Sequence, residues 1–327
     1  MRNILDLIRW KNLAIIIITM VLIRYCILRP LLGEMTAFMM NANGAELSLD
    51  LQSEWYDFVL LVAATVLISA AGYVINDYFD IRTDFVNRGS VIVGTRISRR
   101  HAMLLHGILN VAGITAGFLA SWKAGFAWMG TLFIVVAGLL YFYSASYKRQ
   151  FLIGNIIISL LSAMVPFLVI LYEWPPLYRF YAANAAEIPA FRFLFVWVGG
   201  FSVFAFTSTL AREIIKDIED FEGDRAYGRD TLPVVLGIPA SKIIAIIILL
   251  ITILMLALAW IFFINDFITL VYMSVMLVLP LFHVIYRLIV SRNRIQVRAI
   301  SNMMKIIMLA GISYSVVVRL IITRNLY

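Results

Sequence analysis

Two stretches of this chain carry carboxylates at a spacing that could hold a metal ion. The first is Asn76-Asp77-Tyr78-Phe79-Asp80-Ile81-Arg82-Thr83-Asp84; the second, 140 positions on, is Asp217-Ile218-Glu219-Asp220-Phe221-Glu222-Gly223-Asp224. In both, aspartates fall at offsets 0, 3 and 7. On a continuous helix those positions lie at about 0°, 300° and 340°, so the three carboxylates would share one narrow face. Like charges crowded twice onto one face point to a cation that holds them. A pair of solvated acidic loops would explain the charge, but not the repeated spacing.

The oxygen-only donor set suits Mg²⁺. This hard ion is held by one or two carboxylates together with substrate phosphates and water. Asp77, Asp80, Asp84, Asp217, Asp220 and Asp224 are the candidate carboxylate ligands, and Asn76 adds a neutral oxygen beside Asp80. Lys216 holds the equivalent place beside Asp220, so the first stretch should mainly hold metal and the second both metal and phosphate. Two facing stretches could seat ions between the protein and a diphosphate, where the metal would draw off charge developing on a leaving group. Arg82, Arg88, Lys148, Arg149, Lys216 and Arg225 lie nearby and could bind phosphate oxygens directly. Lys148 stands out, because it ends an apolar run at the same depth as the aspartates.

The elements that must position these groups are membrane helices. Of 327 residues, 63% are hydrophobic and only 14% charged, against about 25% charged in a soluble domain. The apolar residues come in runs of about 20, long enough to cross a bilayer and unlike the alternating strands of a membrane barrel. Nine spans are expected, at 12–32, 56–76, 102–121, 125–146, 151–171, 191–212, 242–264, 267–288 and 301–322. The fold class is therefore all-α, a polytopic membrane protein forming a single domain over 1–327. The basic start with Arg2, Arg9 and Lys11 lacks a following small-residue cleavage site, which makes the first apolar run a span and not a signal peptide. The single cysteine, Cys26, excludes an internal disulfide or a thiolate cluster.

The connections alternate in charge. Nineteen of the 27 Lys and Arg residues fall on one side, 20 with Lys305, and both aspartate stretches lie on that side. The positive-inside rule makes it cytoplasmic, with the N-terminus inside and the C-terminus outside. The net charge of +8 thus reflects topology and a lipid bilayer as partner, not nucleic acid. The stretches end the second and sixth spans, so 12–146 and 151–288 read as two copies of a four-helix unit, with the helix at 301–322 left over. Such a bundle would bring the two aspartate faces together across a central cavity. Arg24, near the middle of the first span, either snorkels outward with Arg29 or faces the cavity and binds an acceptor's anionic group. Segment 173–190, with Trp174-Pro175-Pro176, reads as interfacial structure.

The first stretch followed by Asn87-Arg88, then Tyr147-Lys148-Arg149 with Gly154-Asn155, then the second stretch, resembles the UbiA superfamily of intramembrane prenyltransferases. The resemblance implies Mg²⁺-dependent transfer of an isoprenoid from a prenyl diphosphate to a membrane-soluble acceptor. It makes Asn76, Asp80, Asp84, Asp217, Asp220 and Asp224 the metal–diphosphate set, with Asp80, Asp84, Asp217 and Asp220 catalytic and Asn155 a substrate contact. The run from Arg212 to Asp224, with Thr231-Leu232-Pro233 downstream, looks most like the branch that adds geranylgeranyl to geranylgeranylglycerol phosphate. One departure is Gly89-Ser90-Val91-Ile92-Val93-Gly94, which lacks an expected proline after the first stretch. An aromatic acceptor of quinone or haem biosynthesis is the alternative. A transporter is the alternative of another class, disfavoured because its acids would sit at midplane rather than at helix ends.

Overall fold

The computed structural model describes residues 2–35, 48–88, 91–184 and 191–324, with the side chains of Arg2, Asn87, Arg88 and Arg324 outside the described set. Among the described residues nine helices are long and apolar enough to cross a membrane: Trp10–Met35, Trp55–Phe79, Arg99–Ala124, Ala127–Ala145, Ile153–Asn184, Arg192–Glu219, Ile238–Ile264, Phe267–Val290 and Arg294–Thr323. Each falls on one of the nine expected apolar runs. In hydrocarbon every backbone polar group must be satisfied within its own segment, and a helix does this for any run of about 20 apolar residues.

The second span packs along the third and fourth, the fifth along the sixth, and the sixth also meets the seventh and ninth. Small residues allow the closest approaches. A Cβ on Gly117 of the third span would fall 2.2 Å from the Phe133 ring of the fourth, and one on Gly311 of the ninth 2.1 Å from the Phe204 ring of the sixth. Lipid tails are as apolar as the helices, so such close packing, rather than hydrophobic burial, is what holds spans together.

Three helices run well beyond their apolar runs. The fifth was expected to stop near 171 but continues through Trp174-Pro175-Pro176 to Asn184. Its buried extension explains this. The Glu173 carboxylate accepts hydrogen bonds from the Gln52 and Ser53 backbone N–H groups at 2.8 and 2.9 Å, and the Tyr181 hydroxyl accepts one from Asp50 N–H at 2.9 Å. The fifth helix thereby anchors the segment leading into the second span. The sixth helix reaches Glu219 and the ninth begins at Arg294, so both project polar turns on the side that carries the aspartates.

Candidate active site

Neither aspartate stretch is one continuous helix. The second span ends at Phe79, Asp80 adopts φ −93° and ψ 1°, and a short helix resumes over Ile81–Arg88. The sixth span ends at Glu219, Asp220 adopts φ −94° and ψ 7°, and a short helix resumes over Phe221–Ala226. This bridge conformation is sparsely populated and recurs at active sites. Hydrogen bonds still span each break: Asp80 N–H donates to Asn76 C=O at 3.0 Å and Asp84 N–H to Asp80 C=O at 2.8 Å, while the counterparts from Asp220 to Lys216 and from Asp224 to Asp220 measure 2.9 and 3.0 Å. Each chain bends at its middle aspartate without opening its ladder, and the two bends match.

The bends face one polar pocket. Asn76, Asp80 and Asp84 line it from one stretch, and Lys216, Asp217, Asp220 and Asp224 from the other. Lys148, from the connection between the fourth and fifth spans, and Asn155, from the first turn of the fifth, close it. A tight turn over Tyr147–Arg149 carries Lys148, whose ammonium bonds Asn76 Oδ1 at 3.0 Å and forms a short ion pair with Asp80. Gly154 lets the turn sit against the fifth helix, because a Cβ there would lie 2.7 Å from the Lys148 Cα. Asn155 Nδ2 donates to Asp217 at 2.7 Å.

Arg229 ties the stretches together. Its guanidinium, 8% exposed, donates to Asp80 Oδ1 at 2.8 Å and Thr83 Oγ1 at 2.7 Å, and reaches Asp224 Oδ1 at 3.3 Å. Burial works against the Asp80 carboxylate, but Lys148 and Arg229 outweigh it and hold its pKa below the ordinary value. At Asp224 burial wins. With Asp220 adding repulsion and Arg229 opposing, its pKa is pushed up to about 6. Arg229 itself loses by burial yet gains more from Asp80 and Asp224, so its pKa rises.

The pocket opens into a cavity of about 930 Å³ that shares Asn76, Tyr143, Glu213, Lys216 and Asp220 with it. Away from those groups the walls are mostly apolar, including Phe133, Leu140, Val165, Phe204 and Ile312. The arrangement can hold a molecule with an anionic head and a long hydrocarbon tail, and can keep water from the junction between them.

The donor chemistry fits Mg²⁺. The pocket offers carboxylate and amide oxygens without thiol or imidazole ligands. No three acids among the described residues converge into a cage by themselves. Mg²⁺ does not require one, because phosphate oxygens and water complete its shell.

The model of the UbiA prenyltransferase family matches residues 36–309. The chain belongs to the UbiA family. A digeranylgeranylglyceryl phosphate synthase of Methanothermobacter thermautotrophicus is 34% identical over 197 residues, 58% of this chain and 60% of that protein. The matched stretch thus spans less than two thirds of the length of this relative. Among solved structures, one of digeranylgeranylglyceryl phosphate synthase in membranes superposes with a TM-score of 0.61 at 22% identity, covering 96% of this chain and 98% of the other. A UbiA homologue from Archaeoglobus fulgidus bound to GPP and Mg²⁺ superposes with a TM-score of 0.55 at 14% identity, covering 96% and 99%. Both likenesses concern the fold.

Of the expected site residues, the pocket gathers Asn76, Asp80, Asp84, Lys148, Asn155, Lys216, Asp217, Asp220 and Asp224. Three other expected site residues lie elsewhere. Asp77 is not on the pocket wall but pairs at 2.8 Å with Arg9, which sits at φ 52° just before the first span with its guanidinium 5.1 Å from the Tyr73 ring centre. Arg24 neither snorkels nor lines the cavity. It is 2% exposed, donates to the Ser53 carbonyl, and lies 3.7 Å from Glu173 in a π-helical stretch over Ile23–Leu28. Arg225 is exposed on the short helix after Asp220 and is not on the pocket wall. The Arg88 side chain lies outside the described residues. Glu213, Thr83, Tyr143 and Arg229 line the pocket without having been singled out as site residues. Glu213 does have a sequence signal, since it precedes Asp217 by one helical turn. Arg229 has none, being one of several cations in a basic connection.

Proposed function

We propose that the chain is a Mg²⁺-dependent intramembrane prenyltransferase that moves geranylgeranyl from its diphosphate to the hydroxyl of a prenylglycerol phosphate. The observation that carries this reading is a polar pocket, walled by both aspartate bends, opening directly into a long, mostly apolar cavity. A prenyl diphosphate has that same division between a charged head and a hydrocarbon tail. The name of the curated relative supports the choice of acceptor.

In this reading Asp80, Asp84, Asp217, Asp220 and Asp224, with Asn76, hold the metal. Bound there, Mg²⁺ supplies Lewis-acid neutralisation of charge that builds on the leaving diphosphate. Lys148 and Arg229, already placed at Asp80, and Lys216 across the pocket bind phosphate oxygens. The C1–oxygen bond of the allylic diphosphate breaks, the electron pair leaves with diphosphate, and the acceptor oxygen bonds C1 and gives up its proton to the departing diphosphate. The apolar cavity keeps water from quenching the allylic cation. The pocket faces the cytoplasm, with the N-terminus inside and the C-terminus outside, as the 20 Lys and Arg residues on that side support. The matching bends at Asp80 and Asp220 support a duplicated unit over about 12–146 and 151–288, with the ninth helix added.

The test is to incubate the purified protein with Mg²⁺, labelled geranylgeranyl diphosphate and separate acceptors. Label should enter geranylgeranylglycerol phosphate. Transfer only to an aromatic acid or quinone precursor would replace this acceptor assignment, and release of no diphosphate with any acceptor would refute prenyl transfer.

A further inference from the structure

The proposed reaction brings two anionic groups to one cavity, the donor's diphosphate and the acceptor's phosphate. The cations at Asp80, Lys148 and Arg229, line the polar pocket. A second basic group lines the cavity, contributed by the segment before the first span and by the sixth and ninth helices: Arg9, Arg212 and Lys305. None of these three lines the diphosphate pocket.

Their pairing is incomplete. Lys305 has no hydrogen bond or ion pair among the described residues, yet it lies within electrostatic reach of Arg9, Arg212 and Lys216, with the Glu213 carboxylate also in reach. Arg212 donates through Nη1 to Glu213 at 2.6 Å, while its Nε–H is buried without a partner. Glu213 must also serve Lys216, at 3.4 Å. Arg9 is held by Asp77. Glu213 is thus one carboxylate shared among Arg212, Lys216 and Lys305, which leaves an excess of positive charge beside an apolar cavity and favours a further anion there.

We propose that Lys305 and Arg212, backed by Arg9, form the subsite for the phosphate monoester of the acceptor lipid and make that phosphate a specificity determinant. The assignment rests on the acceptor named above. Glu213 and Lys216 line both the pocket and the cavity, so a headgroup bound here lies beside the diphosphate across one turn of the sixth helix. Leu309 and Ile312 continue the cavity wall from Lys305 along the ninth helix and give the acceptor's tail an apolar path. Arg24, the other candidate for an anionic acceptor group, leaves its Nε and Nη1 without partners but lines neither the pocket nor the cavity and is held by Glu173 and Ser53.

Steady-state transfer by the full-length protein in lipid nanodiscs tests this, with Lys305→Gln, Lys305→Arg and Arg212→Gln compared with the parent. Loss of one charge-assisted contact should raise the KM for geranylgeranylglycerol phosphate about tenfold in Lys305→Gln. The KM for geranylgeranyl diphosphate should not move, and Lys305→Arg should restore most of the loss. An unchanged acceptor KM in Lys305→Gln overturns the subsite, as does a rise confined to the donor KM. Arg212→Gln is a second measure, but Lys305 is exposed and unpaired, so folding is not at stake in its variants. Parent protein that transfers only to acceptors without phosphate contradicts the acceptor reading before any variant is compared, and the subsite falls with it.

Discussion

Arg229 bridges carboxylates 144 positions apart in sequence, Asp80 and Asp224, and it leaves Asp224 the less well compensated of the two. Burial and Asp220 raise the pKa of Asp224 to about 6, against 3.8 for an unperturbed aspartate. The folded, metal-free protein therefore keeps this proton between about pH 4 and 6 where the unfolded chain has lost it. The stabilisation is present at low pH and is lost as pH rises through 6, by at most about 3 kcal/mol. The thermal midpoint of metal-free protein should fall between pH 5 and 8, with a smaller fall in Asp224→Asn, and Mg²⁺ should recover the difference at pH 8. An equal fall in both proteins would contradict this. At this scale the sequence was partly legible. The carboxylates announced themselves by spacing, whereas Arg229 and the Arg9–Asp77 pair depend on which way a side chain turns, which no spacing rule contains.

The elements were easier to read than their ends. Nine apolar runs yield nine spans because hydrocarbon leaves the backbone few choices. The helical overhangs do not register as apolar runs, because those at Glu219 and Arg294 carry charged turns and the one to Asn184 contains Glu173, Pro175, Pro176 and Arg179. The bends at Asp80 and Asp220 were also invisible, since an offset pattern of 0, 3 and 7 describes an unbroken helix equally well. The turn over Tyr147–Arg149 is the element on which the pocket most depends, and Gly154 sets its distance from the fifth helix. Gly154→Ala should favour the helix by about 1 kcal/mol while pushing the Lys148 backbone outward. Transfer should fall about tenfold or more in a protein that folds normally. Full activity in that variant would mean that the position of Lys148 is not critical.

For the whole molecule, the charge alternation of the connections and the placing of the aspartates at span ends were readable from sequence alone. The repeat already led to the expectation that the two stretches meet across a central cavity; what sequence could not supply was the link between them through Arg229 and the side chains that wall the cavity. The account stands or falls on those stretches acting as one site on a diphosphate. Residues that act as a unit show non-additive losses, the double variant being little worse than the more damaged single one. Mg²⁺-dependent diphosphate release from geranylgeranyl diphosphate in the presence of acceptor, measured for the parent, Asp80→Asn, Asp220→Asn and the double variant, is the most direct measurement. Each single variant should lose on the order of a hundredfold or more, and the double variant should lose little beyond that. Near-parental release by either single variant, or release independent of Mg²⁺, would contradict the account.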